Sequence, residues 1–141
     1  MKEETIVDIF QRRVRELGDK PALRIKQGGA WRDISWREYG DRVRRFAKGL
    51  IKLGFQPPTS SSSPHLRHSV ALLGFNRPEW VVFDVAAMLA GAAPAGIYTT
   101  NSPDEVRYII GHAESPVVLL ENAMQWEKVK KVRAELPNLR H

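Results

Sequence analysis

The second half of this 141-residue chain alternates three short apolar runs with helical patterns, and that alternation restricts the fold more than any other feature. Residues 70–75 (Val-Ala-Leu-Leu-Gly-Phe), 94–98 (Pro-Ala-Gly-Ile-Tyr) and 116–120 (Pro-Val-Val-Leu-Leu) carry no charge. A strand that is apolar at every position must be covered on both faces, which is the situation of a parallel sheet between helices. The first run is followed by Pro78, Glu79, Trp80, Phe83, Ala87 and Leu89 with Gly91 as a stop. The second is followed by Val106, Ile109 and Ile110, and the third by Trp126, Val129 and Val132 before Pro137. Repeated strand–helix units within about seventy residues require crossover connections, so residues 69–141 are expected to form a βαβαβα parallel α/β unit.

Local signals agree with that reading. Ser102-Pro103-Asp104-Glu105 offers a serine cap, proline at the first helical position and glutamate at the third, and Asn122 caps the last helix. Upstream, residues 5–17 place Ile6, Phe10, Val14 and Leu17 on one helical face ahead of Gly18. Residues 21–26 and 30–35 read as a β-hairpin around Gly28-Gly29, whose φ freedom suits a tight turn. Ser35-Trp36-Arg37-Glu38 reads as a capping box opening a helix that ends at Gly54. Its expected core face is Trp36, Tyr39, Val43, Phe46, Leu50 and Leu53. Residues 1–55 are thus a helix–hairpin–helix preamble.

Between the halves, residues 56–68 include Pro57-Pro58-Thr59-Ser60-Ser61-Ser62-Ser63-Pro64, a low-complexity tract that has no apolar face to bury and is expected to be a mobile loop. His65 and His68 follow it but lack a third ligand nearby, so a metal site is not assigned.

The chain has no cysteine, which removes disulfides, thiolate catalysis and cysteine-ligated zinc. No run reaches the length of a spanning helix and the N-terminus does not read as a secretory signal, so the default location is cytoplasmic. A net charge of +6 invites a nucleic-acid or membrane partner. Arg12, Arg13, Arg37, Arg42, Arg44, Arg45, Lys48, Lys128, Lys130, Lys131 and Arg133 lie on three helical stretches interleaved with Glu and Asp, as solvated faces do. Nucleic acid is not expected; weak peripheral contact with anionic lipid stays open.

Ligands of such sheets bind beyond the C-terminal strand ends, which here means the loops at 74–77, 98–102 and 121–123. None has the glycine spacing that wraps a phosphate, and Gly91 to Gly96 runs from helix into strand, the reverse of a dinucleotide fingerprint. Asp84 with Asp104, or Glu79 with Glu105, would be the carboxylate pairs, but each has a plainer role on a helix surface or first turn. His112 sits late in its helix, and no Gly-x-Ser-x-Gly elbow occurs. No catalytic, cofactor-binding or metal-binding residue is assigned.

The ordered series of motifs resembles the AMP-forming, adenylate-forming enzymes, specifically the bubblegum-like branch of the long-chain fatty-acyl-CoA synthetases. The residues that carry the resemblance are 70–80 with Asn76, Glu79 and Trp80, then Gly91-Ala92, and 96–103 (Gly-Ile-Tyr-Thr-Thr-Asn-Ser-Pro). Residues 117–121, Glu135-Leu136-Pro137-Asn138-Leu139, Pro21-Ala22-Leu23, residues 36–39 and Leu53-Gly54 extend it. The resemblance implies a fatty acid–CoA ligase that uses ATP, Mg²⁺ and coenzyme A, passing through acyl-AMP. The family's Pro-Lys-Gly phosphate loop, its Tyr-Gly-x-Thr-Glu segment, its ribose-binding Asp and its C-terminal lysine have no counterpart here. The chain therefore reads as an incomplete N-terminal domain over 1–141, expected to be inactive alone and prone to self-association through its uncovered sheet. Fatty acid, ATP and coenzyme A would be partners only within a full-length enzyme. A non-catalytic binding or regulatory module, acting at a membrane surface, is the alternative. At residues 57–68 the chain departs from the family, which has a short polar turn there. Replacing residues 56–68 by a Gly-Asp turn should leave the melting temperature unchanged or higher, as followed by thermal denaturation.

Overall fold

The computed structural model describes residues 4–55 and 68–141; the low-complexity tract and His65 lie outside them. The chain opens with α1 (Ile6–Leu17), a hairpin of β1 (Pro21–Gln27) and β2 (Ala30–Ser35), and α2 (Trp36–Lys52). Then come β3 (Ser69–Leu73), α3 (Pro78–Leu89), β4 (Ala93–Ile97), α4 (Pro103–His112), β5 (Val118–Leu120) and α5 (Ala123–Val132). The expected α/β class and the parallel unit are present. β3 is central in the order β4-β3-β5, pairing in parallel from Ser69↔Ala93 to Leu73↔Ile97 and from Ala71↔Val118 to Leu73↔Leu120.

Strand pleating sends alternate β3 side chains to opposite faces. Val70 and Leu72 join a core with α2 and α3, while Ala71 and Leu73 join another with α4 and α5. All five β3 residues are buried. At the N-terminal edge of the sheet, the Ser69 hydroxyl donates to the Ala113 carbonyl at 2.6 Å and lies 2.5 Å from the Ser115 hydroxyl. This buried pair ties β3 to the turn ahead of β5.

The preamble packs onto the α3 side. Tyr39 of α2 meets Phe10 edge-on at 4.9 Å between centroids. Close approach of α1 depends on Gly40, where a Cβ would sit 2.7 Å from Val14 Cγ1. The hairpin turn uses Gly28 and Gly29 at φ 59° and 83°, values at which other residues are strained. Caps at Thr5, Ser102 and Asn122 accept the backbone N–H three residues on.

Several boundaries differ from the sequence pattern for identifiable reasons. β3 stops at Leu73 and β4 at Ile97, leaving Phe75 and Tyr98 exposed in the following loops. Apolar character alone does not mark where a ladder ends; the Phe75 N–H goes instead to the Glu121 carboxylate. On α2 the buried stripe is Tyr39, Val43, Ala47 and Leu50, with Phe46 and Leu53 over 40% exposed. On α5, Gln125 takes the inward position expected of Trp126, because the spacing 125, 129, 132 holds one stripe and Trp126 falls beside it. Ser35 caps α2, but Glu38 does not close a box; its carboxylate accepts from Arg32 and Arg42.

Among the described residues, no helix is long and apolar enough to cross a membrane. One feature of α3 is costly. Asp84 is half-buried with no hydrogen bond or ion pair among the described residues, and burial raises its pKa above the ordinary 3.8. Burial, with Asp84 adding to it, pushes the Tyr39 phenol to about 12. A carboxyl with a raised folded pKa favours the folded state while protonated. That contribution is lost as pH rises from the ordinary value of 3.8 through the elevated one. Asp84→Asn should therefore raise the melting temperature at neutral pH and leave it nearly unchanged below pH 3.8, in thermal scans across pH.

Candidate functional site

The strand order sets where a site can form. From β3 the chain crosses through α3 to β4 on one side, while β5 lies on the other side of β3. The loops leaving β3 and β5 run to helices on opposite faces, so they part and leave a crevice at the C-terminal strand ends. A cavity of about 230 Å³ occupies that position, walled by Phe46, Leu73, Phe75, Trp80, Leu119 and Leu120. Arg77, Glu79 and Glu121 stand among these apolar walls.

Glu121 holds the crevice together. Its side chain is 13% exposed, its Oε2 accepts from the Phe75 N–H at 2.9 Å and its Oε1 from Arg77 at 3.3 Å. Its own N–H donates to the Leu73 carbonyl at 3.1 Å. Arg77 Nε also donates to Glu79 at 2.9 Å. Glu79 in turn is held below the usual carboxylate range by a bond to its own backbone N–H and by Arg77, against some desolvation. The Arg77 guanidinium is held above its ordinary value, chiefly by the Glu79 hydrogen bond. The charges are therefore spent on each other, and the space they frame suits an apolar group more than an ion.

A second cavity of about 400 Å³ lies between the ends of β3 and β4, beside Asn76, Trp80 and Tyr98. The Trp80 ring closes against Gly96, where a Cβ would be 3.2 Å from it. The 98–102 loop is fixed by Lys128, whose ammonium donates to the carbonyls of Thr99 at 2.5 Å and Asn101 at 2.8 Å.

Of the loops read from the sequence, 74–77 meets Glu121 directly and borders Tyr98 in the second cavity, while 98–102 and Glu121 lie on opposite sides of β3. The candidate carboxylate pairs do not meet: Asp84 and Glu79 are on α3, Asp104 and Glu105 on α4, and the two helices pack on opposite faces. Glu105 closes the α4 capping box, accepting from the Ser102 N–H at 2.7 Å. His112 stacks on Tyr108 at 5.5 Å, and His68 meets Phe55 edge-on at 5.3 Å. No three metal-ligating side chains converge among the described residues. Sequence reasoning missed Phe46, assigned to a core stripe, and the latch role of Glu121; only the juxtaposition of β3 and β5 reveals either. Lys128 gave no signal beyond its charge.

A family model described as AMP-binding enzyme matches residues 10–141. The long-chain-fatty-acid–CoA ligase ACSBG2 of Xenopus laevis is 39% identical over 136 residues, 96% of this chain and 17% of that protein. ACSBG2 of Homo sapiens is 38% identical over 128 residues, 91% of this chain and 18% of its own length. The chain thus spans under a fifth of these relatives. Among solved structures, the anthranilate CoA ligase AuaEII in complex with anthranoyl-AMP superposes with TM-score 0.79 at 24% identity, over 96% of this chain and 23% of that one. The N-terminal domain of FACL13 from Mycobacterium tuberculosis gives 0.78 at 21%, over 94% and 30%. These structural likenesses carry the fold.

Removing the latch tests its role. Glu121→Ala should cost about 0.5–1.5 kcal/mol by removing the acceptor of the Phe75 N–H, measured by urea denaturation. Glu121→Gln, which keeps an acceptor, should cost less.

Proposed function

Because this chain belongs to the AMP-binding enzyme family, we propose that it is the N-terminal part of a long-chain fatty acid–CoA ligase and supplies structure rather than chemistry. The observation that carries the reading is the 39% and 38% identity to two such ligases across more than nine-tenths of the chain. On this reading the complete enzyme activates a fatty acid with ATP and Mg²⁺ through acyl-AMP and passes the acyl group to coenzyme A.

The described residues do not fit ATP or Mg²⁺. No three of their carboxylate or imidazole groups converge on one point. The crevice arginine is neutralised by Glu79 and Glu121. The loops at the strand ends have no glycine-rich run to bring backbone N–H groups around phosphates. Phosphoryl and adenylyl chemistry depends on positioned charge, and the crevice charges neutralise one another. What the chain contributes is a sheet whose central strand is buried on both faces, and an apolar crevice at its C-terminal strand ends.

The isolated chain with ATP, Mg²⁺, coenzyme A and palmitate should form no palmitoyl-CoA above a no-protein blank. Grafted in place of the matching segment of human ACSBG2, it should support palmitoyl-CoA formation above that of the same ligase lacking the segment. A folded chimera no more active than that truncation would count against the reading.

A further inference from the structure

The basic residues of the helices are not equivalent once their partners are known. On α1, Arg12 pairs with Glu4 and Glu16, and Arg13 with Glu16. In the first half of α2, Arg37 pairs with Asp19, Arg42 with Glu38 and Arg44 with Asp41. The second half is different. Arg45, Lys48 and Lys52 are exposed, and none of them makes an ion pair among the described residues. Residues 42–55 contain no Asp or Glu.

Their spacing of three and four puts the three cations on one stripe, turned away from the buried Val43, Ala47 and Leu50. Beside the stripe, at the helix end, Ile51 is 44% and Leu53 43% exposed. We propose that this end of α2 is a docking surface for an anionic lipid bilayer. The three cations would meet lipid phosphates and carboxylates, with Ile51 and Leu53 entering the interface. Both halves of the observation are needed. Cations without carboxylate partners keep their full attraction for an anionic surface, and exposed branched side chains gain by leaving water for the acyl boundary. Nucleic acid could use the cations but not the aliphatic pair.

The test is co-sedimentation of the full chain with phosphatidylcholine vesicles, with and without about 30% phosphatidylserine, in about 0.15 M salt. Binding should require phosphatidylserine and disappear at high salt. The triple variant Arg45→Gln/Lys48→Gln/Lys52→Gln should weaken it on the order of a hundredfold. A variant matched in net charge, Lys20→Gln/Lys26→Gln/Lys131→Gln, should stay within roughly threefold of the parent, short of the loss expected at a true contact. Ile51→Ser/Leu53→Ser should weaken binding while keeping its salt dependence. Circular dichroism checks that each variant folds, and Lys48→Gln alone replaces the triple variant if that does not. Equal loss in the two charge-matched variants, absence of binding by the parent, or binding without phosphatidylserine would each overturn the proposal. So would tighter binding to short duplex DNA through the same three side chains.

Discussion

The structure depends on β3 being buried on both faces. A five-residue strand that is nowhere exposed can hold no charge, and it must be paired on both edges and covered on both sides. Each consequence shows in the surrounding elements. β4 and β5 satisfy its edges in parallel, α2 and α3 cover Val70 and Leu72, and α4 and α5 cover Ala71 and Leu73. The two cores are separated by the sheet, with this strand at its centre. Damage to its packing is therefore felt on both sides, since interiors this dense do not absorb lost volume.

The same arrangement makes the crevice. Once β5 lies on the opposite side of β3 from β4, the polypeptide leaving the two strands must part, and the gap inherits the apolar ends of both. Glu121 prevents that gap from being a weak point, because one partly buried carboxylate satisfies a loop N–H and an arginine across 44 and 46 residues of sequence. The preamble is attached by other means. Aromatic contacts among Phe10, Trp36 and Tyr39, and the steric allowance at Gly40, bring α1 down on α2. The ion pairs around that unit are mostly exposed and screened by solvent, so they contribute little and packing holds it.

Sequence by itself determined the class, the order and the type of the elements. The reason is local: uncharged runs with no polar alternation demand two covers, helix starts at Thr5, Ser102 and Asn122 write their own caps, and Gly28-Gly29 can occupy a turn that other residues resist. Membership of the AMP-binding family was legible for the same reason, since its motifs sit at these junctions. Only the tertiary structure decided which side chains share a space. Periodicity ranked Phe46 and Trp126 as core because it sees spacing but not the neighbour, and it could not foresee that Gln125 would turn inward while Trp126 stayed half out. Nor could it separate Arg12 and Arg13 of α1, which are paired, from the cations at the end of α2, which make no ion pair among the described residues. The partners of a charge lie in other elements, and sequence distance does not measure how far away they are. The meeting of Glu121 with Phe75 and Arg77 is the clearest instance: Glu121 belongs to one strand-end loop and the other two to another, and what joins them is the register of β5 against β3.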